Sequence, residues 1–82
     1  MNFIVYSRSG CPYCDKIKFV LGEVASKMDL SLTTYELNVD FSREEFYSEF
    51  GEGSTFPQVV YYETKLGGCS DTIKFLQEHN ML

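Results

Sequence analysis

The chain has 82 residues, 44% of them hydrophobic and 23% charged, with 12 acidic residues against 7 basic ones and a net charge of −5. That length fits one domain, residues 1–82, with a limited core and a modest stability margin. The acidic balance, with no cluster of Lys or Arg, excludes a surface that neutralises phosphates, so neither nucleic acid nor an anionic membrane is an expected partner.

Phe3-Ile4-Val5-Tyr6 is apolar on both faces, as a buried central strand would be. The residues ahead of it lack the basic region of a signal peptide, and no apolar run reaches the length of a membrane span. Ser7-Arg8-Ser9-Gly10 is a polar loop. Pro12 suits the first turn of a helix, where its missing N–H costs nothing. Ile17, Val20, Leu21, Val24 and Met28 then recur at helical spacing. Thr33 to Val39 reads as a strand, with Tyr35, Leu37 and Val39 alternating against Thr34, Glu36 and Asn38. Ser42-Arg43-Glu44-Glu45 is a capping box that opens a short helix, with Phe46 and Phe50 one turn apart, and Gly51-Glu52-Gly53 ends it. Val59 to Tyr62 reads as a strand, with Lys65-Leu66 as its hairpin partner across Glu63-Thr64. Gly67-Gly68 breaks the chain, and Ser70 is expected to cap a last helix carrying Ile73, Phe75 and Leu76. The order β-α-β-α-β-β-α predicts an α/β fold. A right-handed βαβ unit is followed by an antiparallel hairpin and a closing helix, giving a small four-stranded mixed sheet flanked by three helices.

Three cysteines is an odd count, unlike a secreted disulfide scaffold. It predicts a cytoplasmic, reducing location, in which a cysteine pair is catalytic or metal-binding. Cys11-Pro12-Tyr13-Cys14 lies where the loop becomes a helix. Cysteines at i and i+3 share one helical face within reach of a disulfide. Cys11 falls at the helix N-terminus, where free N–H groups and the macrodipole favour a thiolate, and the charge of Arg8 adds to this. Cys14, one turn further in, is expected to be shielded and to act as the resolving thiol. Half of a zinc site is the competing reading, but zinc needs about four ligands. Only Cys69 and His79 remain, and they are not spaced as a second pair, so no metal is expected.

Arg8-x-x-Cys11-Pro12-Tyr13-Cys14, Thr55-Phe56-Pro57-Gln58 and Gly67-Gly68-Cys69-Ser70-Asp71 resemble the three signatures of the glutaredoxin family, in family order and spacing. The likeness spans nearly the whole chain, and the Cys-Pro-Tyr-Cys form is that of dithiol members. It implies the thioredoxin fold and a glutathione-dependent disulfide oxidoreductase with Cys11 and Cys14 as the catalytic pair. Implied partners are glutathione, disulfide-bearing proteins and glutathionylated proteins, with ribonucleotide reductase among the family's clients. A monomer is expected.

The resemblance also implies a glutathione site. The peptide bond before Pro57 would be cis, where residues alone suggest an ordinary proline at a strand start. Thr55 and Phe56 would flank the cysteine moiety of glutathione, with backbone free to pair like an added strand. Phe56 departs from the usual valine. Gly68 would let the backbone approach the ligand, and Ser70 and Asp71 at the following helix start would hold the γ-glutamyl end. Ser70 stands where aspartate is more common. Arg8 stands where the family has a lysine that helps bind the glycine carboxylate. Glu52-Gly53-Ser54 supplies no second cation. Tyr13 is expected to be exposed beside the groove, and Tyr6 and Tyr61 to be core. Cys69 reads as a small buried hydrophobe, with a secondary reactive thiol as the alternative, and His79 as a solvated residue of the last helix.

Two other classes stand against this reading. A carrier of an iron–sulfur cluster shared between subunits would use Cys11 and glutathione, but Pro12 counts against it. A thioredoxin-like reductant served by a flavoprotein is opposed by the Gly-Gly-x-x-Asp signature.

Overall fold

The computed structural model describes residues 2–82. Among the described residues the order is β1 (Phe3–Ser7), α1 (Pro12–Met28), β2 (Leu32–Glu36), α2 (Arg43–Phe50), β3 (Gln58–Tyr61), β4 (Thr64–Gly67) and α3 (Cys69–Glu78). The strands form one sheet in the order β2-β1-β3-β4. β1 runs parallel to β2 and antiparallel to β3, and β4 closes the sheet antiparallel to β3. This is the expected mixed sheet and matches the thioredoxin fold.

Register divides the sheet into two faces. Phe3 lies opposite Tyr61 and Val5 opposite Val59, so these four side chains share a face. Phe3, Val5 and Val59 are buried there with Ile17, Leu21 and Val24 of α1 and Leu76 of α3. The helix residues recur at i, i+4 and i+7, the stripe that an amphipathic helix turns to a core. Tyr6, one residue from Val5, points to the other face. Its ring packs on Phe41 at 5.3 Å and on Phe50 of α2 at 4.9 Å. Tyr6 and Tyr61, both expected in the core, are half-buried on opposite faces.

Four local expectations are corrected. β2 ends at Glu36 instead of Val39. Asn38 takes the left-handed conformation at φ 67°, and the Asp40 carboxylate accepts the Glu36 N–H at 2.9 Å, so a turn replaces the last strand pairs. Val39 is left 73% exposed. The hairpin turn is Tyr62-Glu63 instead of Glu63-Thr64, because Tyr61 already pairs with Thr64. Met28, at the helix end, is exposed instead of joining the apolar stripe of α1. Finally, α3 starts at Cys69 with Gly68 as its N-cap, so Ser70 lies within the first turn. Asp71 substitutes for a capping side chain by accepting the Gly68 N–H at 3.3 Å. The capping box of α2 is present as expected. Ser42 Oγ accepts from Glu45 N at 3.1 Å, and Glu45 Oε1 accepts from Ser42 N at 2.8 Å.

Candidate active site

The loop after β1 delivers Cys11 to the N-cap of α1 with extended backbone, φ −116° and ψ 102°. Pro12 follows at the first helical position, where a proline replaces an N–H that has no helical acceptor. The Cys11 sulfur accepts the Cys14 N–H at 3.2 Å, so the thiol group does the work of a capping oxygen. Cys11 and Cys14 form a disulfide, with their Cα atoms 5.2 Å apart. In the reduced protein the same N–H and the open end of α1 favour negative charge on the Cys11 sulfur.

Cys14 is fully buried, as expected for the inner thiol. Cys11 is only 4% exposed. This burial is that of the disulfide state.

A groove of about 210 Å3 reaches the cysteine motif at Tyr13, the residue between Pro12 and Cys14. One wall is Tyr13, Thr55, Phe56 and Pro57. The other is Gly68, Cys69, Ser70 and Asp71 at the start of α3. The peptide bond between Phe56 and Pro57 is cis. Tyr13 is 64% exposed at the rim. Gly67 sits at φ 103°, and a Cβ there would come within 2.6 Å of the Asp71 carboxylate, so the turn into α3 requires glycine. Gly68 packs close to the Pro57 carbonyl, at 3.6 Å from its ideal Cβ position, which ties the two walls together.

Of the residues singled out from sequence, Tyr13, Thr55, Phe56, Pro57, Gly68, Ser70 and Asp71 meet around this groove. Arg8 does not join them. Its guanidinium donates to the Ser9 carbonyl at 3.4 Å and stays exposed, and among the described residues no cation lines the groove. Cys69 was read first as a small buried hydrophobe, with a secondary reactive thiol as the alternative, and was not placed in the groove. It is buried in the core cluster, yet it also contributes to the groove wall. Its position between Gly68 and Ser70 was the available signal. His79 is exposed at the end of α3 and stacks on Phe75 at 4.1 Å.

A buried aromatic stack supports the Thr55–Pro57 wall from behind. The Phe56 ring lies 4.1 Å from that of Phe46 at an interplanar angle of 12°. Phe46 is almost fully buried on α2. The Phe56 ring is thus taken up by α2, and the residue also borders the groove.

A family model described as Glutaredoxin matches residues 3–66, so the Gly68–Asp71 wall lies beyond the matched segment. Glutaredoxin 1 of Rickettsia prowazekii is 31% identical over 80 residues, covering 94% of this chain and 79% of that protein. The solved structure of reduced Escherichia coli glutaredoxin superposes with a TM-score of 0.85 over 100% of both chains, at 21% identity. A buckwheat glutaredoxin–glutathione complex superposes with a TM-score of 0.76 at 19% identity, covering 98% of this chain and 72% of that one.

Proposed function

The chain belongs to the glutaredoxin family, and from that premise we propose that it uses glutathione to reduce protein disulfides and protein–glutathione mixed disulfides. Thiol–disulfide exchange through a cysteine pair follows from the family and the fold. The observation that carries the finer reading is the Cys11 sulfur at the N-cap of α1, accepting the Cys14 N–H at 3.2 Å. A relative of the same fold bound to glutathione adds support.

The chemistry is attack of a thiolate on sulfur, with a second thiolate leaving. On a glutathionylated protein, Cys11 attacks the glutathione sulfur and the protein thiolate departs, leaving Cys11 glutathionylated. A glutathione thiolate then attacks that adduct, releasing glutathione disulfide and the Cys11 thiolate. On a protein disulfide, Cys11 forms the mixed disulfide and Cys14 attacks its own neighbour, expelling the second client thiolate. Two glutathione molecules restore the Cys11–Cys14 dithiol. Cys14 is suited to the resolving step by its place one turn along the same helix.

Thr55, Phe56 and Pro57 are proposed to border the cysteine moiety, with Tyr13 over it. Ser70 and Asp71, with the N–H groups at the start of α3, are proposed to take the γ-glutamyl end. Among the described residues no cation lines the groove, which favours weak hold on the glycine carboxylate and makes a flavoprotein-served dithiol reductant the second reading. Turnover coupled separately to glutathione with its reductase and to a flavoprotein thioredoxin reductase separates the two. Glutathione-coupled turnover is the expected result. Turnover with the flavoprotein alone supports the second reading instead.

A further inference from the structure

α2 encloses a second cavity of about 260 Å3, outside the redox groove. Its walls are aromatic, from Tyr6, Tyr35, Phe41 and Phe46. Its rim carries the carboxylates of Asp40, Glu45 and Glu49, and none of its lining residues is cationic. Each carboxylate has a structural partner among the described residues. Asp40 Oδ2 accepts the Glu36 N–H, Glu45 Oε1 accepts the Ser42 N–H, and Glu49 Oε1 lies 3.6 Å from Lys65 Nζ. A carboxylate has two oxygens and about four acceptor sites, so capacity remains.

The same corner already seats a cation. The Lys65 ammonium is 3.6 Å from the Glu49 carboxylate and 5.3 Å above the Phe50 ring, and Phe50 packs on Tyr6 at 4.9 Å. Carboxylate on one side and aromatic face on the other is the arrangement that binds cations. Burial, then the charge of Glu49, then Tyr35 hold the Tyr6 hydroxyl above its ordinary pKa, so it stays neutral within the cavity. The cavity and the redox groove meet through Phe56, on which both Phe46 and Phe41 of the cavity wall stack.

We propose that this cavity binds the guanidinium of an arginine in a protein client whose reacting sulfur occupies the redox groove. Guanidinium suits it better than ammonium, because it is planar, stacks on rings, is weakly hydrated and pairs with carboxylates two bonds at a time. The site selects among protein clients by the charge near their disulfide, whereas a small glutathione disulfide does not extend to it. The inference rests on the redox function proposed above for its client, but not for arginine binding itself.

The test uses the full chain and acetyl-arginine amide, a probe without sulfur, followed by NMR. Acetyl-citrulline amide has nearly the same shape without the charge. Saturable shifts at Tyr6, Phe41 and Phe46 are expected with arginine and not with citrulline. The triple variant D40N/E45Q/E49Q keeps an acceptor for the turn and for the helix cap while removing the charges. It should bind the arginine probe about tenfold more weakly. Equal responses to the two probes, or arginine binding unchanged in the triple variant, overturn the proposal. In a second arm, wild type should prefer an arginine-bearing glutathionylated peptide over its citrulline twin by about fivefold to tenfold in kcat/KM at low salt. The ratio should approach one in the triple variant. Wild-type turnover of a small glutathione mixed disulfide reports on the redox reading separately. If that turnover is absent while the arginine shifts persist, the redox reading fails and the cavity stands.

Discussion

A cysteine's reactivity depends on its thiolate fraction more than on its area, and Cys11 and Cys69 separate the two. They are 4% and 7% exposed, so exposure does not favour Cys11. Surroundings do. The Cys11 sulfur caps a helix and accepts an amide N–H, whereas Cys69 packs in the apolar cluster around Leu76. Iodoacetamide at pH 6 should therefore label Cys11 first in the reduced protein, and faster labelling of Cys14 or Cys69 contradicts the assignment. Tyr6 gives a second prediction at this scale. Its pKa is raised by burial first, then by Glu49 and Tyr35. The folded state thus holds the proton more tightly than the unfolded chain, whose tyrosine titrates near 10. The stability linked to Tyr6 is complete below that pH and is lost as pH rises toward the higher folded value. Tyr6→Phe should flatten the fall of stability above about pH 10. Urea midpoints of the two oxidised proteins between pH 9 and 11 measure it, and parallel slopes contradict it. Arg8 shows where residue-level reading stops. Its sequence offset from Cys11 places the backbone nearby, but only the folded loop decides that its guanidinium turns to Ser9.

Elements were legible where the signal was local. Pro12 marked the start of α1, and Ser42 with Glu45 marked the start of α2, because helix ends are closed by side chains within three residues. β2 was read too long because the alternation of Leu37 and Val39 continued past Glu36, while the turn was set by the conformation of Asn38 and a side chain of Asp40. The start of α3 was read two residues late, because Gly68 caps it without a side chain and Asp71 closes the turn. The α2 cap carries more than its own helix. Phe46 on α2 supports Phe56, so loosening this helix loosens one wall of the groove. Ser42→Ala should cost about 1 kcal/mol of stability. For a domain of this size that lowers Tm by about 4–8 °C. An unchanged Tm in a thermal melt counts against the cap, and a fall with intact groove binding counts against its reach to Phe56.

At the scale of the whole molecule, the parallel and the hairpin pairs followed from few rules, whereas the antiparallel pairing of β1 with β3 that joins them was not read from the sequence. A βαβ unit makes β1 and β2 parallel neighbours, and a hairpin makes β3 and β4 antiparallel ones. The redox groove was legible because its parts lie in three short motifs. The aromatic face under α2 was not, since Tyr6, Phe41, Phe56 and the α2 pair Phe46 and Phe50 come from separate segments and only the fold brings their rings together. The central claim is the division of labour between Cys11 and Cys14 within this frame. The most direct measurement is turnover of one glutathionylated peptide and one protein disulfide by wild type, Cys11→Ser and Cys14→Ser. Cys11→Ser should lose both activities, because a serine hydroxyl is not ionised at neutral pH and attacks sulfur poorly. Cys14→Ser should keep deglutathionylation, since free glutathione resolves the Cys11 adduct, and should lose most protein-disulfide reduction. Loss of deglutathionylation in Cys14→Ser as complete as in Cys11→Ser would contradict the account.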